Sequence, residues 1–212
     1  MQSLSQKNKL FVHIVLDLVN FSSTSVQASF APRYGCLVII EKVKRLDIGA
    51  LVLIRGVGRV NVLELRQAQP YLRGEVTPLQ DNVSQKMTEI NSKVLELKEA
   101  LHNLNSLEIK LKATGVALLQ TPTRSSLFWA EKKLSLDCIT DFIPPVAERV
   151  SFAALQPVSG STQSELMKLQ KKKLRAMDVR DTLERLEKSM ELARNNVATV
   201  AAKLAIQSLE MG

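Results

Sequence analysis

Apolar and polar positions along the chain follow two different periods. Between Tyr34 and Gln80 the apolar residues come in short β-branched runs, Cys36–Ile40, Ala50–Ile54, Val60–Leu65 and Leu72–Thr77, with Asp47-Ile48-Gly49 and Gly56-Val57-Gly58 as breaks. Runs of this length, bounded by glycine and aspartate, predict strands joined by tight turns. In the last run Leu72, Gly74 and Val76 alternate with Arg73, Glu75 and Thr77, so a period of two turns the first set inward and the second toward water. Pro78 ends that strand, because proline has no N–H for a ladder. Upstream, Phe11 to Phe21 is one more apolar stretch that reads as a strand or a short helix.

Past Pro78 the spacing changes to three and four. Met87, Ile90, Val94, Leu97, Leu101, Leu104 and Leu111 form one seam, with Lys86, Glu89, Lys93, Glu96 and Glu99 on the other faces. One long helix from about Asn82 to Lys112 is predicted, capped by Asp81 or Asn82 and ended by Gly115. From Gln120 to Pro157 the pattern dissolves into a connector holding Thr121-Pro122-Thr123, Trp129 and a short helix from Pro145 to Leu155. Thr162 with Glu165 three residues on predicts a reciprocal cap, and Asp178 and Asp181 suit a fresh helix start. Leu183, Leu186, Met190, Ala193, Val197, Val200 and Leu204 then make a second seam that matches the first. Two such seams bury each other in a small bundle.

The fold class is therefore α+β, a small antiparallel sheet or barrel followed by an α-helical bundle. Residues 1–32 stand apart as an atypical N-terminal segment, a transit peptide or a truncated start; residues 33–80 form the sheet; residues 81–212 form the helical part, with its connector at 116–161. At 45% hydrophobic but only 4% aromatic residues, the core must be built mainly from Leu, Val and Ala. Cys36 and Cys138 are far apart and fit a reducing compartment, and neither they nor the isolated His13 and His102 have metal-ligand spacing. No stretch reaches the ~20 apolar residues of a membrane-spanning helix, so no membrane partner is expected.

Catalytic chemistry finds little support. Gly56-Val57-Gly58 lacks the Gly-Lys-Ser/Thr ending of a phosphate loop, and a tight hairpin is the plainer reading. Ser159-Gly160-Ser161 with Lys168 has the residue types of a serine nucleophile and its base, but the loop that leads into a helix explains them better. No enzyme, cofactor or metal is predicted.

The order of residues carries a resemblance. Tyr34-Gly35-Cys36, Leu46, Gly49 to Gly56, Gly58-Arg59-Val60 and Pro70-Tyr71-Leu72-Arg73-Gly74-Glu75-Val76-Thr77-Pro78-Leu79 resemble the substrate-binding N-terminal domain of the Lon proteases, in wording nearest the stand-alone Lon-domain proteins of plants. A second stretch, Lys168-Leu169-Gln170, Lys173 to Val179 and Glu184-Arg185-Leu186, resembles the helical segment of that family. The resemblance runs from Tyr34 onward and finds no counterpart of the family's opening strands. It implies a PUA-like sheet and a non-catalytic module that recognises unfolded or tagged polypeptides, as an adaptor to a protease or ligase complex in the chloroplast or cytoplasm. The family's ATPase and protease modules have no match here.

Peptide recognition is expected on the outward face of the last strand, at Tyr71, Arg73 and Glu75, with Trp129 as an aromatic contact. The alternative is RNA binding, since the net charge is +8 and Lys168, Lys171, Lys172, Lys173 and Arg175 are clustered. Aromatic residues do not alternate with those cations, as they do in single-strand binders, which makes nucleic acid the weaker partner. A third reading is a scaffold that self-associates through its helical seams.

Overall fold

The computed structural model describes residues 10–20, 29–112, 121–133 and 140–210. The chain divides into two compact units, Met1–Gln80 with Ser135–Pro144, and Asp81–Leu134 with Pro145–Gly212.

Among its described residues the first unit is an antiparallel meander of four strands in the order β1 (Leu10–Asn20), β2 (Ser29–Arg45), β3 (Ala50–Gln67) and β4 (Arg73–Pro78). The α+β class and the antiparallel sheet agree with the pattern of short runs, and the sheet is open rather than closed into a barrel. The stretch from Phe11 settles as strand β1, paired from Leu10↔Ile39 to Asn20↔Ser29.

The glycines at 56–58 do not make the expected hairpin. Alanine 50 to glutamine 67 is a single strand, and its register passes from Leu37↔Gly58 to Val38↔Gly56, so Val57 is the extra residue of a β-bulge. A Cβ on Gly58 would lie 2.3 Å from the Phe142 carbonyl oxygen and 3.1 Å from Pro144 Cδ. The glycine is needed because the short 3-10 turn Thr140–Phe142 and the residues after it cross the strand at close range. Leu37, Val38, Ile40, Val57 and Val60 are buried around the bulge. Burial pushes the pKa of the adjacent Cys36 thiol up, partly offset by hydrogen bonds from the backbone of Val57 and Gly58.

Among the described residues the second unit holds five helices: α1 (Met87–Lys112), α2 (Pro122–Glu131), α3 (Val146–Ala153), α4 (Gln163–Asp178) and α5 (Thr182–Glu210). The two apolar seams do pack on each other. Ile90, Val94, Leu97 and Leu101 of α1 share one cluster with Leu183, Leu186, Met190 and Ala193 of α5, and α2 and α3 add Leu127, Ala130, Val150 and Ala153. These parts of both seams are thereby used inside the chain, while Met87 at the start of the first is 55% exposed.

Capping follows the sequence at the starts of α4 and α5 and departs from it at α1. The Thr162 N–H donates to Glu165 Oε2 (2.6 Å) while the Glu165 N–H donates to Thr162 Oγ1 (3.2 Å), the expected reciprocal cap of α4. These bonds from Thr162 hold the Glu165 carboxyl below its usual range. The cap is therefore complete above that range and lost as pH falls through the lowered value. Asp181 Oδ1 accepts from the N–H groups of Leu183 (2.8 Å) and Glu184 (3.1 Å) at the start of α5. Pro145 stands at the N-cap position of α3, one residue ahead of the first turn expected for it, and makes no side-chain cap bond. Helix α1, however, begins at Met87 and not near Asn82. The Asn82 N–H donates to the Arg180 carbonyl (2.9 Å), and the Asp81 carboxylate is occupied by Arg185 and Thr182. Gly115, the expected end of α1, lies outside the described residues.

Arg185 is the polar centre of this unit. Its Nε donates to Ser151 Oγ (2.7 Å), Nη1 to Asp81 Oδ1 (3.1 Å) and to the Val179 carbonyl (2.7 Å), and Nη2 to Asp81 Oδ2. The guanidinium also lies 4.3 Å from the centre of the Phe152 ring. One buried side chain thus ties together the approach to α1, helix α3, the α4–α5 turn and α5, with its donors directed at oxygens, as a buried charge requires.

Candidate functional site

The open edges of the sheet flank a groove of about 870 Å³ in the first unit. One wall is β1, through Leu10, Phe11, Val12 and Ile14. The others are β3, through Val62, Leu65 and Arg66, and the segment Tyr71–Val76 that leads into and forms β4. Among the described residues, β1 pairs only with β2 and β4 only with β3, so each presents an outer edge of unpaired N–H and C=O groups.

Local sequence explains why the groove opens at this end. The β3–β4 register shifts twice, between Val62 and Glu64 and again between Leu65 and Gln67, and such bulges increase the twist of a strand. Gly74 sits opposite Leu65 at the second shift, where a Cβ would come within 2.4 Å of the Glu64 carbonyl oxygen. Only glycine lets β4 approach the bulged strand so closely. The connection before β4 is tied back by Gln67 Nε2, which donates to the Gln69 carbonyl (2.6 Å).

Three of the four expected contact residues, Tyr71, Arg73 and Glu75, come together on this groove. The Arg73 guanidinium lies 4.9 Å from the centre of the Tyr71 ring and donates to its hydroxyl, and the side chain as a whole is 40% exposed. Glu75 is ion-paired with Arg66, whose Nε is also 3.5 Å from Glu64. The expected inward set needs correction: Leu72 lies before the strand and is 51% exposed, and Gly74 is exposed too, leaving Val76 as the half-buried member. With β4 at an edge, part of what the alternation assigned to a core faces the groove.

Trp129 is placed elsewhere, half-buried on α2 in the second unit, with the Lys132 ammonium 5.5 Å from its ring centre. Lys168, Lys171, Lys172, Lys173 and Arg175 are all exposed on α4 of that same unit. Ser159 is engaged structurally: its N–H and hydroxyl donate to Oε1 of the buried Glu108 (2.8 and 3.0 Å). Lys203 Nζ donates to the neighbouring Gly160 carbonyl (2.8 Å). Among the described residues no cluster of His, Cys, Asp or Glu has the makings of a metal site, and no helix is long and apolar enough to cross a membrane.

Sequence reasoning missed the β1 wall of the groove and Arg66. The first has a signal in the β-branched run Phe11–Val15, once that run is taken as a strand; the second has one in Glu64, Arg66 and Glu75, whose opposite charges become cross-strand neighbours only when the register is known.

A meander with this order of glycines, aromatics and strands, followed by capped helices, agrees with one family. The sequence model of the substrate-binding domain of ATP-dependent protease La (Lon) matches residues 3–207. The chain belongs to the Lon substrate-binding domain family. The match takes in β1 and the start of β2, where residue-by-residue resemblance began only at Tyr34. No curated protein matches the chain. Membership in the Lon substrate-binding family makes substrate recognition the role of the fold, and the family's substrate domain is the non-catalytic part of that protease.

Proposed function

We propose that the first unit captures unfolded polypeptide segments in extended form, along the groove between β1 and β4, as the recognition step of an adaptor in protein quality control. The observation that carries this reading is the open sheet, whose two edge strands flank a groove lined by apolar side chains together with Arg66, Arg73 and Glu75. An extended segment adds to the outer edge of β4 through main-chain hydrogen bonds, which are indifferent to sequence, while its alternate side chains enter the groove. The volume is within the ~300–1,000 Å³ of ligand clefts, enough to bury a few side chains of the guest. Tyr71 offers a rigid aromatic surface already oriented by Arg73, so little side-chain entropy is lost when a client packs on it. Delivery of the client to a protease or ligase partner is the step this recognition would serve, with no chemistry by the module itself.

The test is fluorescence anisotropy with an uncharged, apolar extended peptide. Affinity should change little between low and moderate salt, because apolar burial and strand pairing are not screened. Tyr71→Ala should weaken binding about tenfold, the loss of a typical aromatic anchor, and more than Lys172→Glu does. The opposite ranking, with RNA bound tightly and released steeply as salt rises, would place function on the basic face of α4 instead.

A further inference from the structure

The part of the β2–β3 hairpin that lies beyond the sheet carries the most exposed apolar residues of the first unit. Strand β1 reaches only Ile39 on β2, and β4 reaches only Val60 on β3. Residues 40–45 and 50–54 therefore extend as a two-stranded ribbon with no third strand among the described residues. At its turn Ile48 is 93% exposed, and behind it Leu51 is 62% exposed, with Leu46 and Leu53 also open to solvent. Apolar side chains grouped in this way mark a contact surface more often than an idle one.

The register gives that surface a chemical character. Lys42 pairs with Leu53 and Lys44 with Leu51, so one face alternates cation and aliphatic side chain; Val43 pairs with Val52 on the other face. Glu41 is taken by Arg55 at 2.7 Å. Lys42, Lys44 and Arg45 have no carboxylate at ion-pair distance among the described residues, and Asp47 at the turn is the one acid beside them. In the groove, by contrast, Arg66 is balanced by Glu75 and Glu64.

We propose that the distal β2–β3 hairpin is a second contact surface for the bound polypeptide and selects segments in which acidic residues alternate with apolar ones. The inference rests on the reading of the first unit as a polypeptide binder and adds the class of segment it prefers. An extended guest whose side chains alternate acid and aliphatic matches the Lys42–Leu53 and Lys44–Leu51 pairs in both charge and apolarity. A second copy of the hairpin would instead bring uncompensated cations face to face, which costs association free energy.

Two labelled extended peptides of equal length test it, one alternating Leu with Glu and one alternating Leu with Lys, titrated with the full chain at low salt. The Glu peptide should bind roughly tenfold more tightly, since exposed charge pairs contribute a few-fold each, and its advantage should shrink as salt is added. Lys42→Glu/Lys44→Glu should reverse the order of the two peptides, and because both lysines are exposed its thermal melt should match the parent. An unchanged ratio in that variant, or no discrimination by the parent, overturns the proposal, while binding of the uncharged peptide would still stand for the groove. Conversely, a Glu preference that persists when Tyr71→Ala has no effect on any peptide would keep the hairpin and discard the groove. Tight binding to phosphatidylglycerol vesicles with which neither peptide competes would overturn it in favour of a lipid surface.

Discussion

Asp81→Leu is expected to destabilise the second unit by about 3–5 kcal/mol, the cost of leaving one partner of a buried ion pair behind. Arg185 is 1% exposed, and without Asp81 its guanidinium keeps only the Ser151 hydroxyl, the Val179 carbonyl and the Phe152 ring. A loss of that size is a large part of the ~5–15 kcal/mol by which a domain is stable. The double variant Asp81→Leu/Arg185→Leu should recover much of it, because removing both charges also removes their desolvation cost. Urea unfolding followed through Trp129, the single tryptophan of the chain and a member of this unit, checks both variants. Equal midpoints for parent and Asp81→Leu would show that the carboxylate does not compensate Arg185.

Leu186→Asp should cost several kcal/mol for a different reason. Leu186 is fully buried between the two seams, in one cluster with Leu97, Leu101 and Met190, so a carboxylate there finds no polar partner among these neighbours and must either be desolvated or take up a proton. Leu186→Met keeps volume and apolarity and should cost less than about 1.5 kcal/mol. The contrast within one site separates burial of charge from loss of shape, and the same tryptophan signal measures it. Matching melts for both variants would mean that the seams do not face each other.

What was legible in the sequence is what local chemistry determines. The seams of α1 and α5 repeat over many turns, and two long apolar stripes are both buried when they face each other. The reciprocal Thr162–Glu165 cap and the Asp181 cap involve residues three positions apart, so the sequence contains the whole interaction. Failures occur where the partner is remote. Gly56 and Gly58 look like a turn until residues 140–144 are brought against Gly58, and then they are a bulge with a crossing chain above it. Asp81 looks like a helix cap until Arg185, 104 positions later, takes its carboxylate. Helix α2 was hidden because Thr121-Pro122-Thr123 reads as a loop, although Thr121 Oγ1 accepts from the Arg124 N–H (3.1 Å) and proline fits the first turn. The site was half legible for the same reason: Tyr71, Arg73 and Glu75 are close in sequence and share the groove, whereas the β1 wall and Arg66 needed the pairing of strands.

Amide hydrogen exchange, with and without the uncharged extended peptide, tests capture in the groove most directly. Strand addition should protect backbone amides of β4, from Arg73 to Thr77, because edge N–H groups without a strand partner would be hydrogen-bonded to the guest. Protection confined to α4, with both edge strands exchanging as fast as in the free protein, would contradict it.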